Sequence, residues 1–439
     1  MDATALNQAL GGPVGRRAVR HGSWFRPAPW VFAVATLNWV LLVLRQRPCI
    51  TQPQYQYPQL CYSDIQALWG PRGIDEGLIP YLQVDLEYPV LTGGFIWLTR
   101  AASGLLPGDR PNVTFFGLTA LLLFVCFLGL VGVHLRLGGA TGALMVAASP
   151  VVLASGLINW DMLPVLLTSG AVLAWASGRP GWSGVLIGLG AAAKLYPVLL
   201  LVPLAVLCAR AGRWRALGLL AAGAGGAYVA VNLPVYVVAP AGWLNFWGFN
   251  VDRGADLGSV WYALSLLGWE VPRLSLVVAL LLIVGVAAIG ALLIWAPRRP
   301  RVAQGVFLVV VLFCLVNKVY SPQYMLWLLP LLVLARPVWR DWAVFSAAEV
   351  AYWWAVWQYL GDGAVYAGDG QPRLYIAAIL LRVGVQVWLA SNVVWDALRP
   401  GSDPVRAGGA DDPHGGVLDR APDAGWVSRL WGKEPAWLP

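Results

Sequence analysis

The chain has 439 residues, of which 59% are hydrophobic and 12% charged, against about a quarter charged in an ordinary soluble domain; with a mean hydropathy of +0.65, this excludes a soluble globular enzyme. About 259 apolar residues, at roughly 20 per bilayer crossing, accommodate on the order of a dozen helices, whereas runs such as Leu118 to Leu130, apolar on every side, exclude a β-barrel with its alternating strands. The 30 basic and 22 acidic residues leave +8; the arginines stand in short caps between apolar runs, which marks cytoplasmic loops rather than a nucleic-acid surface.

Arg16, Arg17, Arg20 and Arg26 precede a first apolar run from Pro29 to Leu44 with no small-residue cleavage site after it, so residues 1–27 read as a cytoplasmic basic tail before an uncleaved helix. A polar stretch from 45 to 88 forms a long first extracytoplasmic loop. Further apolar runs fall near 113–135, 141–157, 161–177, 182–193, 196–209, 215–238, 273–296, 303–316, 323–335, 341–360 and 374–397. The run from Val90 to Leu106 is interrupted by Gly93, Gly94, Arg100 and Gly104 and is expected to be re-entrant or interfacial. With it not crossing, Arg136, Arg179, the Arg210/Arg213/Arg215 cluster, Arg298/Arg299/Arg301 and Arg336/Arg340 all share the side of the N-terminus. Residues 28–398 thus form an all-α, polytopic bundle of about 12 transmembrane helices in the cell membrane, both termini cytoplasmic. The tail at 399–439, rich in Gly, Pro and Asp, is expected to be disordered.

Arginine caps lie inside and the chemically varied segments outside, namely 45–88, Asn159 to Asp161, Lys194 to Pro197, Ala241 to Pro272, Asn317 to Tyr324 and Gly361 to Pro372. Cys49 and Cys61 share the first outer loop, an oxidising setting in which they either pair or stay free. Cys126, Cys208 and Cys314 sit in apolar runs as small core residues. The scattered His21, His134 and His414 offer no zinc-ligand spacing.

Asp64 is the first acid of the membrane body, with Tyr62, Ile65, Leu68 and Trp69 at helical spacing around it; this predicts a short amphipathic helix at the membrane surface presenting a carboxylate base. Asp75 and Glu76 read as solvated loop acids, and Glu87 as a helix-start anion or a site residue. Only three lysines exist, Lys194, Lys318 and Lys433. The first two lie in strongly apolar surroundings, where an ionisable group is a functional candidate unless it merely snorkels to the interface. A proline follows each within four positions (Pro197, Pro322), breaking the helix where it can line a cavity. Glu349 and Arg382, each deep in an apolar run, are expected to pair with each other.

Tyr62-Ser63-Asp64-Ile65, Glu87-Tyr88-Pro89, Asn159-Trp160-Asp161, Lys194-Leu195-Tyr196-Pro197, Arg253-Gly254-Ala255-Asp256 and Asn317-Lys318-Val319-Tyr320-Ser321-Pro322-Gln323-Tyr324 together resemble glycosyltransferase family 87 of the GT-C superfamily, which includes actinobacterial polyprenol-phosphate-mannose-dependent α-mannosyltransferases. The resemblance implies a GT-C-like fold, a polyprenyl-phosphate sugar donor, a glycolipid or glycan acceptor, an active site at the outer membrane face, and an acid in the first outer loop as base, a position that Asp64 matches. It also implies inversion, so that a β-linked mannosyl phosphate gives an α-linked product. The histidine near the active site in some members has no counterpart in any outer segment here.

The chemistry agrees with that resemblance. A lipid phosphate is already a good leaving group, so help is needed at the weakly acidic acceptor hydroxyl; one carboxylate base plus fixed cations suffices, unlike hydrolysis with its carboxyl pair. Asp64 is thus the expected base, with Lys194, Lys318 and Arg72 on the donor phosphate. Glu87, Asn159, Asp161, Tyr196, Asn250, Arg253, Asp256, Gln323 and Tyr324 are expected to orient the sugars. No cofactor is expected, a metal through Asp64 with Asp85 or Glu87 being the disfavoured alternative. Rival readings are an arabinosyl or glucosyl transferase, or a lipid or solute transporter, against which the lack of an internal repeat counts.

Overall fold

The computed structural model describes residues 26–361 and 372–427. The basic tail through residue 25, most of the outer segment between 361 and 372, and Lys433 lie outside the described residues. In chain order the helices are α1 (Pro27–Thr51), α2 (Asp64–Ala67), α3 (Val90–Ser103), α4 (Pro111–Leu137), α5 (Gly139–Ala147), α6 (Pro150–Ser155), α7 (Met162–Ala176), α8 (Pro180–Ala193) and α9 (Leu201–Arg210). They continue as α10 (Trp214–Val238), α11 (Pro240–Asp252), α12 (Val260–Leu266), α13 (Leu274–Trp295), α14 (Val302–Val316), α15 (Met325–Ala335), α16 (Trp339–Leu360) and α17 (Arg373–Leu398). The apolar runs are helical, although the one near 141–157 is split at Ser149 into α5 and α6, and the chain is an all-α, multi-pass membrane protein.

Among the described residues five helices, α1, α4, α10, α13 and α17, are long and apolar enough to cross a membrane. Others are too short: α8 has 14 residues, about 21 Å against a hydrocarbon core of about 30 Å. The short helices α7, α8 and α14 therefore stop within the bundle, and the segments before α7 and after α8 and α14 carry polar groups inward. Such irregular backbone is tolerated at depth where protein surrounds it or it lines a cavity. The closest helix packing is α8 against α10, where a Cβ on Gly184, Gly188 or Gly223 would strike the facing backbone, as small residues permit in membrane bundles. α3 also has 14 residues, too short to cross unaided.

The first loop departs from expectation in one respect. Asp64 begins a single helical turn, not an amphipathic surface helix: Ser63 caps it by accepting from the Ile65 amide and donates to the Leu157 carbonyl at 2.6 Å, while Ile65 is fully buried. The turn is drawn into the bundle because its apolar side chain and cap both find partners there. Cys49 and Cys61 form a disulfide with their Cα atoms 5.9 Å apart, which ties the end of α1 to the stretch of loop leading into this turn.

The opposite end of the bundle corrects the expectation of a disordered tail. Residues 399–427 are ordered against the arginine caps, with Asp403, Arg406, Asp412, His414, Leu418 and Val427 buried. Arg301 donates to the Leu334 and Ala335 carbonyls at the end of α15 and pairs with Asp403 at 2.7 Å, both side chains fully buried. Arg210 likewise binds the Leu293 and Ala296 carbonyls at the end of α13 and pairs with Asp423 at 2.8 Å. Asp412 accepts from the Val302 amide at the start of α14. Cations suit helix C-termini and anions N-termini, and the tail acids neutralise arginines that would otherwise be buried unpaired. The tail is ordered by ion pairs and caps, which its low apolar content does not announce. Asp403→Ala would leave Arg301 buried without its counter-ion, a loss of about 3–5 kcal/mol; the expected result is a clear drop in the thermal midpoint of purified protein, and an unchanged midpoint would contradict this account of the tail.

Candidate active site

The loop ends of α7 and α8 come together. Asp161 precedes the first turn of α7 and Lys194 is the residue at which α8 ends. An anion therefore sits at the positive start of one helix and a cation at the negative end of its antiparallel neighbour. Their side chains pair at 3.1 Å, with Asp161 2% exposed and Lys194 18%. Lys194 does not snorkel outward. Its ammonium stands 5.0 Å from the Tyr88 ring centre and 5.9 Å from those of Tyr324 and Trp327, within the range of cation–π attraction.

Asp64 faces this pair from the first loop. Tyr88 donates its hydroxyl to Oδ2 at 2.6 Å and Tyr62 to Oδ1 at 2.8 Å. The Asp64 amide is tied to the Ile158 carbonyl at 2.6 Å, so the carboxylate is fixed relative to the 157–161 loop. Burial pushes the Asp64 carboxyl above its ordinary range, opposed by hydrogen bonds from Tyr88 and Tyr62 and by the Lys194 charge. Burial, and then the Asp64 charge, raise both phenols, so they remain protonated donors. Asp64 as a residue is half-buried, and each of its carboxylate oxygens is met by a phenol hydroxyl.

Aromatic rings wall the site. Trp327 donates from Nε1 to Asp161 Oδ2 at 2.9 Å and is stacked between Tyr196 (centroids 4.3 Å apart) and Tyr324 (3.7 Å). The Tyr196 hydroxyl meets that of Thr168 at 2.9 Å. Asn159 accepts from the Asp161 amide, and its buried Nδ2 lies close enough to Tyr88 to act on that hydroxyl without a hydrogen bond of normal geometry among the described residues.

A second arm reaches the same region. Arg253 and Asp256 pair through Nε at 2.7 Å, remain about one-third exposed, and lie within electrostatic reach of Tyr324. The Asp256 amide donates to the Lys318 carbonyl and the Tyr320 amide to the Leu257 carbonyl, which joins the two loops. Gly258 sits at φ +78°, where a Cβ would strike the Tyr320 carbonyl. Arg382 anchors the assembly from below: it pairs with Glu349 at 2.8 Å, as expected from the sequence, and donates to the Tyr320 carbonyl at 2.7 Å.

Other expected residues hold partners of their own, with Glu87 still within electrostatic reach of Tyr62. Lys318 donates to the carbonyls of Asn250 and Val251 at the end of α11 and to Ser275 Oγ, so its charge serves a helix C-terminus. Arg72 holds Glu87 in a two-pronged contact, Nε at 2.7 Å and Nη2 at 3.2 Å. Asn250 is exposed on α11 and bonds within its helix, while Gln323 is buried in the turn before α15. Among the described residues no three of His, Cys, Asp and Glu gather as a metal-ligand group. Sequence reasoning missed Trp327 and the hydroxyls of Tyr62 and Tyr88; Trp327 stands three positions after Tyr324, the spacing that puts both rings on one helical face.

A carboxylate held by two phenols, a buried ion pair and an aromatic wall stand together in a multi-pass helical bundle. The profile of glycosyltransferase family 87 matches residues 95–317, and the chain belongs to that family; it is a membrane glycosyltransferase and not a transporter. The matched segment contains Asn159, Asp161, Lys194, Tyr196, Arg253 and Asp256, while Asp64, Arg72, Glu87 and Tyr324 lie outside it. No curated protein matches the chain.

Burial raises the pH at which Asp64 ionises, so an enzyme using the ionised Asp64 carboxylate is expected to show an acid limb above the ordinary carboxylate range. Tyr88→Phe removes a hydrogen bond to the charged form and would move that limb upward by roughly one pH unit. A limb left in place in this variant would show that Tyr88 does not tune Asp64.

Proposed function

We propose that this glycosyltransferase moves a sugar, most consistently mannose, from a polyprenyl-phosphate donor to a glycolipid or glycan acceptor, with inversion and with Asp64 as general base. The observation that carries the proposal is the Asp64 carboxylate, oriented by Tyr62 and Tyr88 and faced by the Lys194–Asp161 pair. Asp64 takes the proton of the acceptor hydroxyl as its oxygen attacks the anomeric carbon. The bond from that carbon to the phosphate oxygen breaks, and polyprenyl phosphate leaves with the electron pair.

Fixed cations stabilise the charge gathered on the leaving phosphate. Lys194 and Arg253 border the cluster and take this role together with Arg72, which is paired to Glu87 as Arg253 is to Asp256, whereas the Lys318 charge is engaged on helix carbonyls. Asn159, Asp161 and Asp256 offer hydrogen bonds to sugar hydroxyls, while Tyr196, Trp327 and Tyr324 offer ring faces. The step is written without a metal. The arginine end is assigned to the cytoplasm under the positive-inside bias, which puts the reaction at the outer face of the plasma membrane.

Purified protein in lipid, supplied with polyprenyl phosphate mannose and a membrane glycolipid fraction, is expected to transfer mannose, and Asp64→Asn to lower the rate at least about 100-fold, the lower range for loss of a general base, while its folding is unchanged. Full activity of that variant would remove Asp64 as base; transfer only from a glucosyl or arabinosyl donor would correct the sugar. Lys194→Ala and Arg253→Gln should raise the apparent KM for the donor, whereas Lys318→Ala should cost thermal stability instead. Equal effects of all three on donor KM would contradict the division among these cations.

A further inference from the structure

Between α13, α14 and α17 lies an apolar groove of about 420 Å³, separate from the site above. Its floor includes Leu308 and Leu312 of α14, and its walls include Gly285 and Ile289 of α13 and Ser391 and Trp395 of α17. It persists because α13 packs chiefly on α9 and α14 and barely touches α17. Along α17 the lining runs from Val387 to Leu398, about 16 Å of helix, which is the depth of one leaflet of a roughly 30 Å core. The groove opens at the arginine end and stops near mid-membrane, so it does not reach the Lys194 cluster.

Charge at its mouth is specific. Arg399 lies over the Trp395 ring, 3.6 Å from its centre, and is exposed. The neighbouring arginines of this end are engaged, Arg298 with Asp411, Arg301 with Asp403 and Arg336 with Asp341, but Arg399 has no acidic partner among the described residues. We infer that the groove binds an anionic phospholipid from the leaflet at the arginine end, an acyl chain lying along α14 and the phosphate resting at Arg399. A zwitterionic lipid brings its own ammonium to compensate its phosphate, so it gains less from the unpaired guanidinium.

Native mass spectrometry of the full chain, released from micelles containing phosphatidylglycerol and phosphatidylcholine of matched acyl chains, tests this. The wild type is expected to retain phosphatidylglycerol with roughly five-fold preference, the worth of one arginine at an anionic surface. Arg399→Gln should remove the preference while lipid stays bound, and Ser391→Trp, which fills the groove from an exposed position, should lose the lipid. Inorganic phosphate should not displace it, because the acyl chain supplies much of the hold. Equal retention of the two lipids by the wild type, an unchanged preference in Arg399→Gln, displacement by inorganic phosphate, or a dimer that Ser391→Trp separates would each overturn the inference.

Discussion

The ion pair of Lys194 with Asp161 joins two helices that are too short to cross the membrane, and the geometry of the candidate site follows from that join. Each charge complements the dipole of the helix it ends, so neither is an isolated ion in an apolar bundle. A buried pair of this kind contributes little net stability compared with a well-packed apolar substitute. What it fixes is position: Asp161 orients Trp327, Trp327 is held between Tyr196 and Tyr324, and Lys194 faces Tyr88, which in turn holds Asp64. The base is thereby set by a chain of contacts running through separate segments of sequence.

The two ends of the bundle use charge differently. At one end Asp64, Asp161 and Asp256 are each held by named partners around the candidate site. At the other, arginines cap the carbonyl ends of α13 and α15 and are neutralised by tail acids. The tail therefore belongs to the folded body, although it lies outside the family match. Between the ends, Arg382 and Glu349 form a fully buried pair across α17 and α16 and brace the loop that meets Arg253 and Asp256.

The helical runs are legible in the sequence because an apolar stretch of the right length has few other stable forms in a membrane. Lys194 is legible for the converse reason, since a lysine amid alanines and leucines needs a partner. The local sequence of Lys318 is just as apolar, but the carbonyls its ammonium meets come from the end of α11, and no local pattern encodes that approach. The order of the tail escapes its sequence because it comes from ion pairs with arginines about 100 to 200 positions away, where composition records only Gly, Pro and Asp. The Asp64 turn resembles a surface helix in local pattern because the partners of Ser63 and Asp64 lie in the 157–158 loop, distant in sequence.

A single base acting in one displacement is the central claim, and the anomeric configuration of the product tests it most directly. Purified protein given a β-linked polyprenyl-phosphate sugar should yield an α-linked product, resolved by the anomeric proton and carbon couplings in NMR. A β-linked product would require a second displacement and a nucleophile on the enzyme, and would contradict the assignment of Asp64 as a base acting alone.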